Sequence, residues 1–171
     1  MTKDDGTPGR TRIELKFRVW GAELDPGALT GATGIDPSRN FRIGEARGAF
    51  AGKVAGWEWH SGSWTDVDTT ELFDRALRTL GPHEAIFARC TETGSTTIRL
   101  TAVGYVYGEV IATPEENDQK GFAPFEFGPF KPYFAADRIV IALAPEIMGF
   151  LSRIRASFDT HIDAELDDRP G

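Results

Sequence analysis

The chain has 171 residues, a net charge of −7 and one cysteine, with 40% hydrophobic and 26% charged residues. These values are typical of one globular domain that buries its core without disulfides. The acidic balance and the absence of a clustered Lys/Arg patch argue against nucleic acid as a partner. A single cysteine fits a reducing compartment, and no apolar run approaches the roughly 18 residues of a membrane span. We therefore expect a cytoplasmic protein that does not enter a membrane.

The first strand follows a polar start. Residues 1–11 are polar and contain glycine and proline, which predicts a disordered tail before a single α+β domain at residues 12–168. Apolar and charged residues then alternate from Ile13 to Val19. This period of two predicts a strand with one buried and one solvated face.

A short helix is predicted next. Asp25 is a good N-cap, and Pro26 suits the first helical position because its missing N–H leaves no hydrogen bond unmade. Gly34 marks the end of the helix. Leu29 and Ala32 are expected to face inward.

Small residues separate this helix from a tryptophan-bearing strand. Residues 48–56 are rich in glycine and alanine and predict a flexible loop. In residues 57–62, Trp57 and Trp59 alternate with Glu58 and His60, which predicts a strand that ends at Gly62.

Two helical segments occupy the middle of the chain. An Asp-Thr-Thr-Glu sequence at residues 68–71 resembles a capping box and is followed by apolar residues at helical spacing up to Leu80. Gly-Pro at residues 81–82 interrupts the helix, and residues 83–90 predict a second helical piece. Two residues of this piece are expected to face the core: Ile86 and Cys90.

The second half of the chain adds strands around a long insertion. Residues 96–107 alternate and predict a long strand, and residues 109–137 form an aromatic, proline-rich insertion. The unbroken apolar run at 139–143 predicts a central strand buried on both faces. A helical stripe follows at residues 145–158, and residues 159–167 alternate as a closing strand. This order predicts an α+β, two-layer domain with a mixed, mostly antiparallel sheet, and it leaves ferredoxin-like pseudo-repeats open.

Several short motifs resemble one bacterial family in their order and spacing. They are Leu-Asp-Pro at residues 24–26, Gly-Ile-Asp-Pro at 34–37, Gly44 and Trp-Glu-Trp at 57–59. Together they resemble the family called domain of unknown function 4279. The middle helix and the closing strand–helix–strand are similar to that family as well, so the resemblance extends over most of residues 17–165.

The resemblance implies a fold and brings no established activity, no cofactor and no catalytic residues. Two features depart from the family pattern. Residues 109–137 replace a short link, and the final strand reads His-Ile-Asp-Ala-Glu at residues 161–165 where an Asp-x-Asp or Asp-x-Tyr pattern is usual.

Tryptophan and arginine side chains give one candidate ligand site. Arg39, Arg42, Trp57, Trp59 and His60 can line a cleft in which tryptophan stacks on a ligand and arginine binds an anion. The alternative is that the two tryptophans pack under a helix and the arginines are surface residues.

The closing strand gives a candidate metal site. His161, Asp163 and Glu165 are two residues apart and therefore share one strand face, where an imidazole and carboxylates can hold a divalent cation. The alternative is a solvated face whose charges prevent pairing at the sheet edge.

Aromatic residues in the insertion give a candidate interface. So many aromatic side chains need burial, either on the domain itself or against a partner such as a second copy of the chain. They are Phe122, Phe125, Phe127, Phe130, Tyr133 and Phe134.

The common catalytic motifs are missing from the sequence. It contains no nucleophile elbow, no phosphate loop and no zinc spacing of its three histidines, and we expect no cofactor. The sequence therefore favours a non-enzymatic cytoplasmic module that binds a protein, either itself as a homodimer or a basic toxin in an immunity-like role. The alternative is a small-ligand-binding or metal-dependent enzyme that uses the Trp/Arg cleft or the acidic last strand.

Overall fold

The elements of the fold alternate between strands and helices. A computed structural model describes residues 2–3, 12–45, 52–62, 64–65, 69–110, 134–135, 141 and 143–166. The strands are β1 (Thr2–Lys3), β2 (Arg12–Gly21), β3 (Arg39–Phe41), β4 (Ala55–His60), β5 (Trp64–Thr65), β6 (Thr96–Val110), β7 (Phe134–Ala135) and β8 (Ser157–Leu166). The helices are α1 (Pro26–Thr33), α2 (Thr69–Leu80), α3 (Glu84–Glu92) and α4 (Pro145–Arg153), with a 3-10 turn at Gly81–His83 between α2 and α3.

Strand β2 lies at the centre of the sheet. On one side it pairs antiparallel with β4 and β5, and β4 pairs with β3. On the other side it pairs antiparallel with β6 over its whole length, and β6 pairs in parallel with β8. A mixed, mostly antiparallel sheet with helices packed on it confirms the predicted α+β class.

The alternation in β2 divides the sheet into two faces. Ile13, Leu15, Phe17 and Val19 are buried, and the residues between them are only partly buried. All four helices contribute residues to the core cluster that holds these side chains. The helices therefore cover one face of the sheet, and the polar side chains of β2 lie on the other.

Strands β4 and β5 both pair with β2, and Gly62 lies between them. Lys16 lies opposite His60, and Ile13 lies opposite Trp64. Gly62 has φ +80°, and Ser61 Oγ accepts a hydrogen bond from Leu15 N at 2.9 Å. Glycine suits position 62 because it adopts the left-handed conformation without strain.

Helix α1 begins and ends where the sequence predicts. Asp25 Oδ1 accepts hydrogen bonds from the N–H groups of Gly27 and Ala28, and Gly34 ends the helix with φ +66°. Leu29 is buried as expected, but Ala32 is exposed. Thr33 is buried in its place, because its hydroxyl bonds to the carbonyl of Leu29 at 2.9 Å and needs no water.

The buried face of helix α3 is offset by one residue from the predicted face. Phe87 and Thr91 are buried, whereas Ile86 and Cys90 are only partly buried. The large Phe87 ring is the reason, since it packs edge-on against Phe17 with 4.9 Å between the ring centroids.

The register does not repeat between the two halves of the chain. β2 and β4 are adjacent and antiparallel, whereas β6 and β8 are adjacent and parallel. Parallel neighbours need a crossover connection, and α4 lies in that crossover. The sheet therefore lacks the ferredoxin-like pseudo-repeat that the order of elements left open.

Three other predicted segments differ in the structure. Ala55 and Gly56, expected in a loop, belong to β4. In the expected central strand 139–143, the two described residues, Ile141 and Leu143, lie outside any strand and pack partly buried against the core. Within the predicted tail, Thr2–Lys3 pairs with β5. Strand β2 lies at the centre of the sheet, between β4 and β6.

None of the helices in the described ranges has the length and hydropathy to cross a bilayer.

Candidate functional site

The sheet face opposite the helices, called here the polar face, carries a row of charged side chains across four strands. Arg39 of β3 lies opposite Glu58 of β4, Glu58 opposite Arg18 of β2, and Arg18 opposite Arg99 of β6. This arginine row has three guanidinium groups and one carboxylate, although the chain as a whole is acidic.

The two central arginines are not fully neutralised by hydrogen bonds. Arg18 Nε lies 3.6 Å from Glu58 Oε1, and Arg99 Nη1 lies 3.7 Å from Asp159 Oδ2. Both distances exceed those of a hydrogen bond. Within the part of the chain that the structure describes, the Nε atoms of Arg18 and Arg99 are buried without a hydrogen-bond partner. Like charges directly opposite each other destabilise a sheet. An anion bound between Arg18 and Arg99 would therefore relieve their repulsion and accept hydrogen bonds from their N–H groups.

A neighbouring row is aromatic. Phe41 of β3 lies opposite Gly56 of β4, and Gly56 lies opposite Trp20 of β2. The Phe41 ring covers Gly56 so closely that a Cβ at position 56 would overlap the ring. The Arg99 guanidinium lies 5.4 Å from the centroid of the Trp20 ring, within the range of a cation–π contact.

A cavity of about 140 Å³ lies where the two rows meet, and we call it the arginine cavity. It is lined by Arg18, Val19, Trp20, Phe41, Val54, Gly56, Glu58 and Arg99. Its wall therefore combines two guanidinium groups, one carboxylate and two aromatic rings. Its lining, mostly apolar with a few convergent polar groups, matches that of small-molecule sites, and its volume is below their usual range of roughly 300–1,000 Å³.

His60 joins the arginine row to a second cluster of charges. Its Nδ1 lies 3.3 Å from Glu14 Oε1, and its Nε2 lies 3.2 Å from Glu58 Oε2. The hydrogen bonds to Glu14 and Glu58 raise the pKa of His60 to about 9. The hydrogen bond from His60 lowers the pKa of Glu58. At neutral pH the imidazole is therefore protonated and Glu58 stays ionised.

Glu14 extends this network to β6. Lys16 Nζ lies 3.2 Å from Glu14 Oε2 and donates a hydrogen bond of 3.2 Å to the hydroxyl of Tyr105. Burial by itself would raise the pKa of Glu14, but the hydrogen bonds from His60 and Lys16 outweigh it and lower that pKa. The network fixes His60 from both sides.

The predicted Trp/Arg cleft is divided between the two faces. Trp57 and Trp59 lie in the core under the helices, and Trp57 Nε1 donates a hydrogen bond of 3.0 Å to Thr30 Oγ1. Arg39 and His60 lie on the polar face. Arg42 is exposed in the turn after β3, where its N–H bonds to Glu45. Period-two alternation separates these residues, because neighbours along a strand point to opposite faces.

Sequence reasoning missed most of the arginine cavity. The alternation in β2 places Arg18 and Trp20 on the polar face, and that signal was present in the sequence. Arg99 lies in the alternating stretch 96–107, whereas Phe41 had no such signal. Only the pairing of β2 with β6 and of β3 with β4 brings both residues to the cavity.

The other predicted sites are described in part. Within the described residues, no three His, Cys, Asp or Glu side chains are grouped to hold a metal ion. The register places His161 opposite Val103, Asp163 opposite Tyr105 and Glu165 opposite Tyr107. The metal site on β8 stays a prediction.

Most of the predicted aromatic interface lies outside the described residues. Phe122, Phe125, Phe127, Phe130 and Tyr133 fall there, whereas Phe134 belongs to β7 and lies opposite Val110. The interface therefore stays a prediction as well.

The fold and the cavity define an α+β domain with one helix-covered and one polar sheet face. The model of the family described as domain of unknown function (DUF4279) matches residues 11–116, more than half of the chain. The chain belongs to this family, which confirms the resemblance, and every residue that lines the arginine cavity falls within the match. Helix α4 and strand β8 lie beyond it. The chain matches no curated protein and no solved structure.

Proposed function

We propose that the chain is a binding module that holds a small organic anion in the arginine cavity. One observation carries the proposal: Arg18 and Arg99 lie opposite each other beside a cavity, and each has a buried Nε without a hydrogen-bond partner among the described residues. A carboxylate has two oxygens and can accept from both guanidinium groups. Hydrogen bonds to charged groups contribute roughly 1.5–3 kcal/mol each, about twice the contribution of neutral ones.

The size and the walls of the cavity limit the ligand. A volume of about 140 Å³ is close to that of a cavity of roughly 150 Å³ that accepts benzene in another protein. The Trp20 and Phe41 rings supply the apolar wall, on which a flat or aliphatic group can pack. A carboxylate of about ten heavy atoms, such as phenylacetate, has suitable dimensions.

Calorimetric titration at constant ionic strength tests the proposal. Phenylacetate should bind and its neutral counterpart phenylacetamide should not, because only the anion uses the guanidinium groups. Arg18→Gln and Arg99→Gln should each weaken the binding of phenylacetate at least tenfold. Arg78→Gln is the matched control, since Arg78 is exposed on α2. Equal binding of the acid and the amide, or equal losses in all three variants, would contradict the proposal.

Binding of a protein is the second candidate function. Strand β6 continues to Val110, where Glu109–Val110 pairs antiparallel with β7. This pairing brings Val110 and Phe134, which flank most of the aromatic insertion, next to each other, and it supports the proposal that the insertion contacts a second copy of the chain or an immunity-type target in the cytoplasm. Light scattering over a hundredfold range of concentration tests self-association. The triple change of Phe125, Phe127 and Phe130 to serine should abolish a dimer without unfolding the chain, whereas a concentration-independent monomer contradicts the homodimer.

A further inference from the structure

We infer that the ligand of the arginine cavity is a zwitterion of the α-amino-acid type, whose carboxylate binds Arg18 and Arg99 and whose ammonium group binds Glu58. The inference rests on the proposed function, because it needs the same cavity. It adds a second recognition element of opposite charge.

Glu58 is the observation that points to a cation. It lines the arginine cavity next to two guanidinium groups, and its side chain is only 14% exposed. Its Oε2 is bound by His60 Nε2 at 3.2 Å, whereas its Oε1 is 3.6 Å from Arg18 Nε, beyond hydrogen-bond distance. In the described part of the chain, therefore, Oε1 accepts no hydrogen bond, and a carboxylate oxygen of this kind is an acceptor for an ammonium group.

His60 holds this acceptor in place. The imidazole lies between Glu58 and Glu14, so it cannot turn away without breaking its contact with one of the two carboxylates. By holding Oε2, His60 keeps the Glu58 carboxylate from forming a two-point contact with Arg18. Arg18 therefore remains available to the ligand, and His60 acts as a positioning residue rather than a ligand contact.

A ligand that is only an anion fits this cavity less well. Its charge would lie near the Glu58 carboxylate, and like charges repel strongly where side chains are partly buried. A ligand that is only a cation would meet the two guanidinium groups. A zwitterion satisfies both kinds of group, and the Trp20 and Phe41 rings remain for its side chain.

Three compounds that differ by one group each test the inference by calorimetry at about pH 7. Phenylglycine is phenylacetate with an added α-ammonium group, and benzylamine is phenylglycine without its carboxylate. The wild-type protein should bind phenylglycine at least tenfold more tightly than phenylacetate, and benzylamine more weakly than either. Glu58→Gln should remove the preference for phenylglycine and strengthen the binding of phenylacetate, because the repelling charge is gone.

The outcomes separate the inference from the proposal on which it rests. If phenylacetate binds as tightly as phenylglycine and Glu58→Gln leaves their ratio unchanged, the zwitterion inference is wrong and anion binding stands. If neither acid binds the wild-type protein, both fail. His60→Gln releases Glu58 Oε2, so Glu58 can pair with Arg18 at two points; phenylacetate binding should weaken and phenylglycine binding should weaken more, which lowers the preference, whereas a purely structural loss would weaken both equally. Should Glu58→Gln fail to fold, the ratio in the wild-type protein still decides.

Discussion

Arg18 and Arg99 occupy opposite positions on the antiparallel strands β2 and β6, and no described residue forms a hydrogen bond with the buried Nε atom of either. Adjacent strands place directly opposed side chains about 5 Å apart at Cβ, so the two positive charges act on each other. The described neighbours compensate them only through ion pairs longer than a hydrogen bond. This pair is the physical basis of both proposals.

The first prediction concerns the effect of Arg18 and Arg99 on the free energy of unfolding of the protein. In a double-mutant cycle of Arg18→Gln and Arg99→Gln, the coupling free energy between the two arginines should be unfavourable by about 0.2–1 kcal/mol. The reason is that either substitution removes the repulsion between the two guanidinium groups. Urea denaturation at low ionic strength measures it. Saturating phenylacetate should make the coupling favourable, since the anion bridges the two side chains. A favourable coupling without ligand would contradict this view.

The second prediction concerns pH. Because the pKa of His60 is about 9 in the folded protein and 6.5 is its ordinary value, the stabilisation is complete below about pH 6.5 and disappears as the pH rises through about 9. This pKa shift sets an upper limit on the order of 3 kcal/mol on the contribution of His60 to the free energy of unfolding. Urea denaturation between about pH 6 and 10 should show this decline in the wild-type protein.

Two variants test the assignment of that decline to His60. His60→Gln should flatten the decline, and Arg78→Gln on the exposed side of α2 should follow the wild-type curve. On the acid side the sign is opposite: the lowered pKa values of Glu14 and Glu58 give stabilisation that is present above about pH 4.5 and lost as the pH falls. If stability declined in the same way in His60→Gln, the His60 imidazole would not be the cause of the decline.

The third prediction compares two glycines. Gly56→Ala should destabilise the protein by about 1–3 kcal/mol and weaken ligand binding, because the new methyl group displaces the Phe41 ring from the cavity wall. Gly31→Ala is the matched change, since Gly31 lies inside α1 and a Cβ added there would have open space around it. It should stabilise the protein by about 0.5–1 kcal/mol. Urea denaturation of both variants should show opposite signs.

The fourth prediction separates two tryptophans. Trp57→Ala should destabilise the protein by about 3–5 kcal/mol, because Trp57 is fully buried against Phe17 and Phe87. Trp20→Ala should destabilise it far less but weaken phenylacetate binding severalfold, since Trp20 is partly exposed on the cavity wall. Denaturation and calorimetry together check this. A similar effect on binding from both changes would mean that the cavity is not the site.

Local sequence patterns predict an element correctly where its structure depends only on residues nearby in the chain. The Asp25 cap and the Gly34 stop of α1 depend on nearby backbone groups, and the structure confirms both predictions. The alternation of β2 is also sufficient to separate its buried face from its polar face. The prediction of a loop at residues 55–56 is wrong because small residues usually indicate one, whereas here the Phe41 ring requires a glycine beneath it.

The sequence by itself determined the α+β class, the limits of α1 and α2 and the two faces of β2, because these depend on periodicity and caps within a few residues. The helical stripe predicted at residues 145–158 is wrong beyond Arg153, since Ser157–Leu166 forms β8. Only the tertiary structure decided that Arg18 meets Arg99 and Glu58, and that the face with Trp57, not the face with His60, packs under the helices. The reason is register. A slip of one residue between strands exchanges the faces, and no local pattern in β2 states which residues of β4 and β6 lie opposite it.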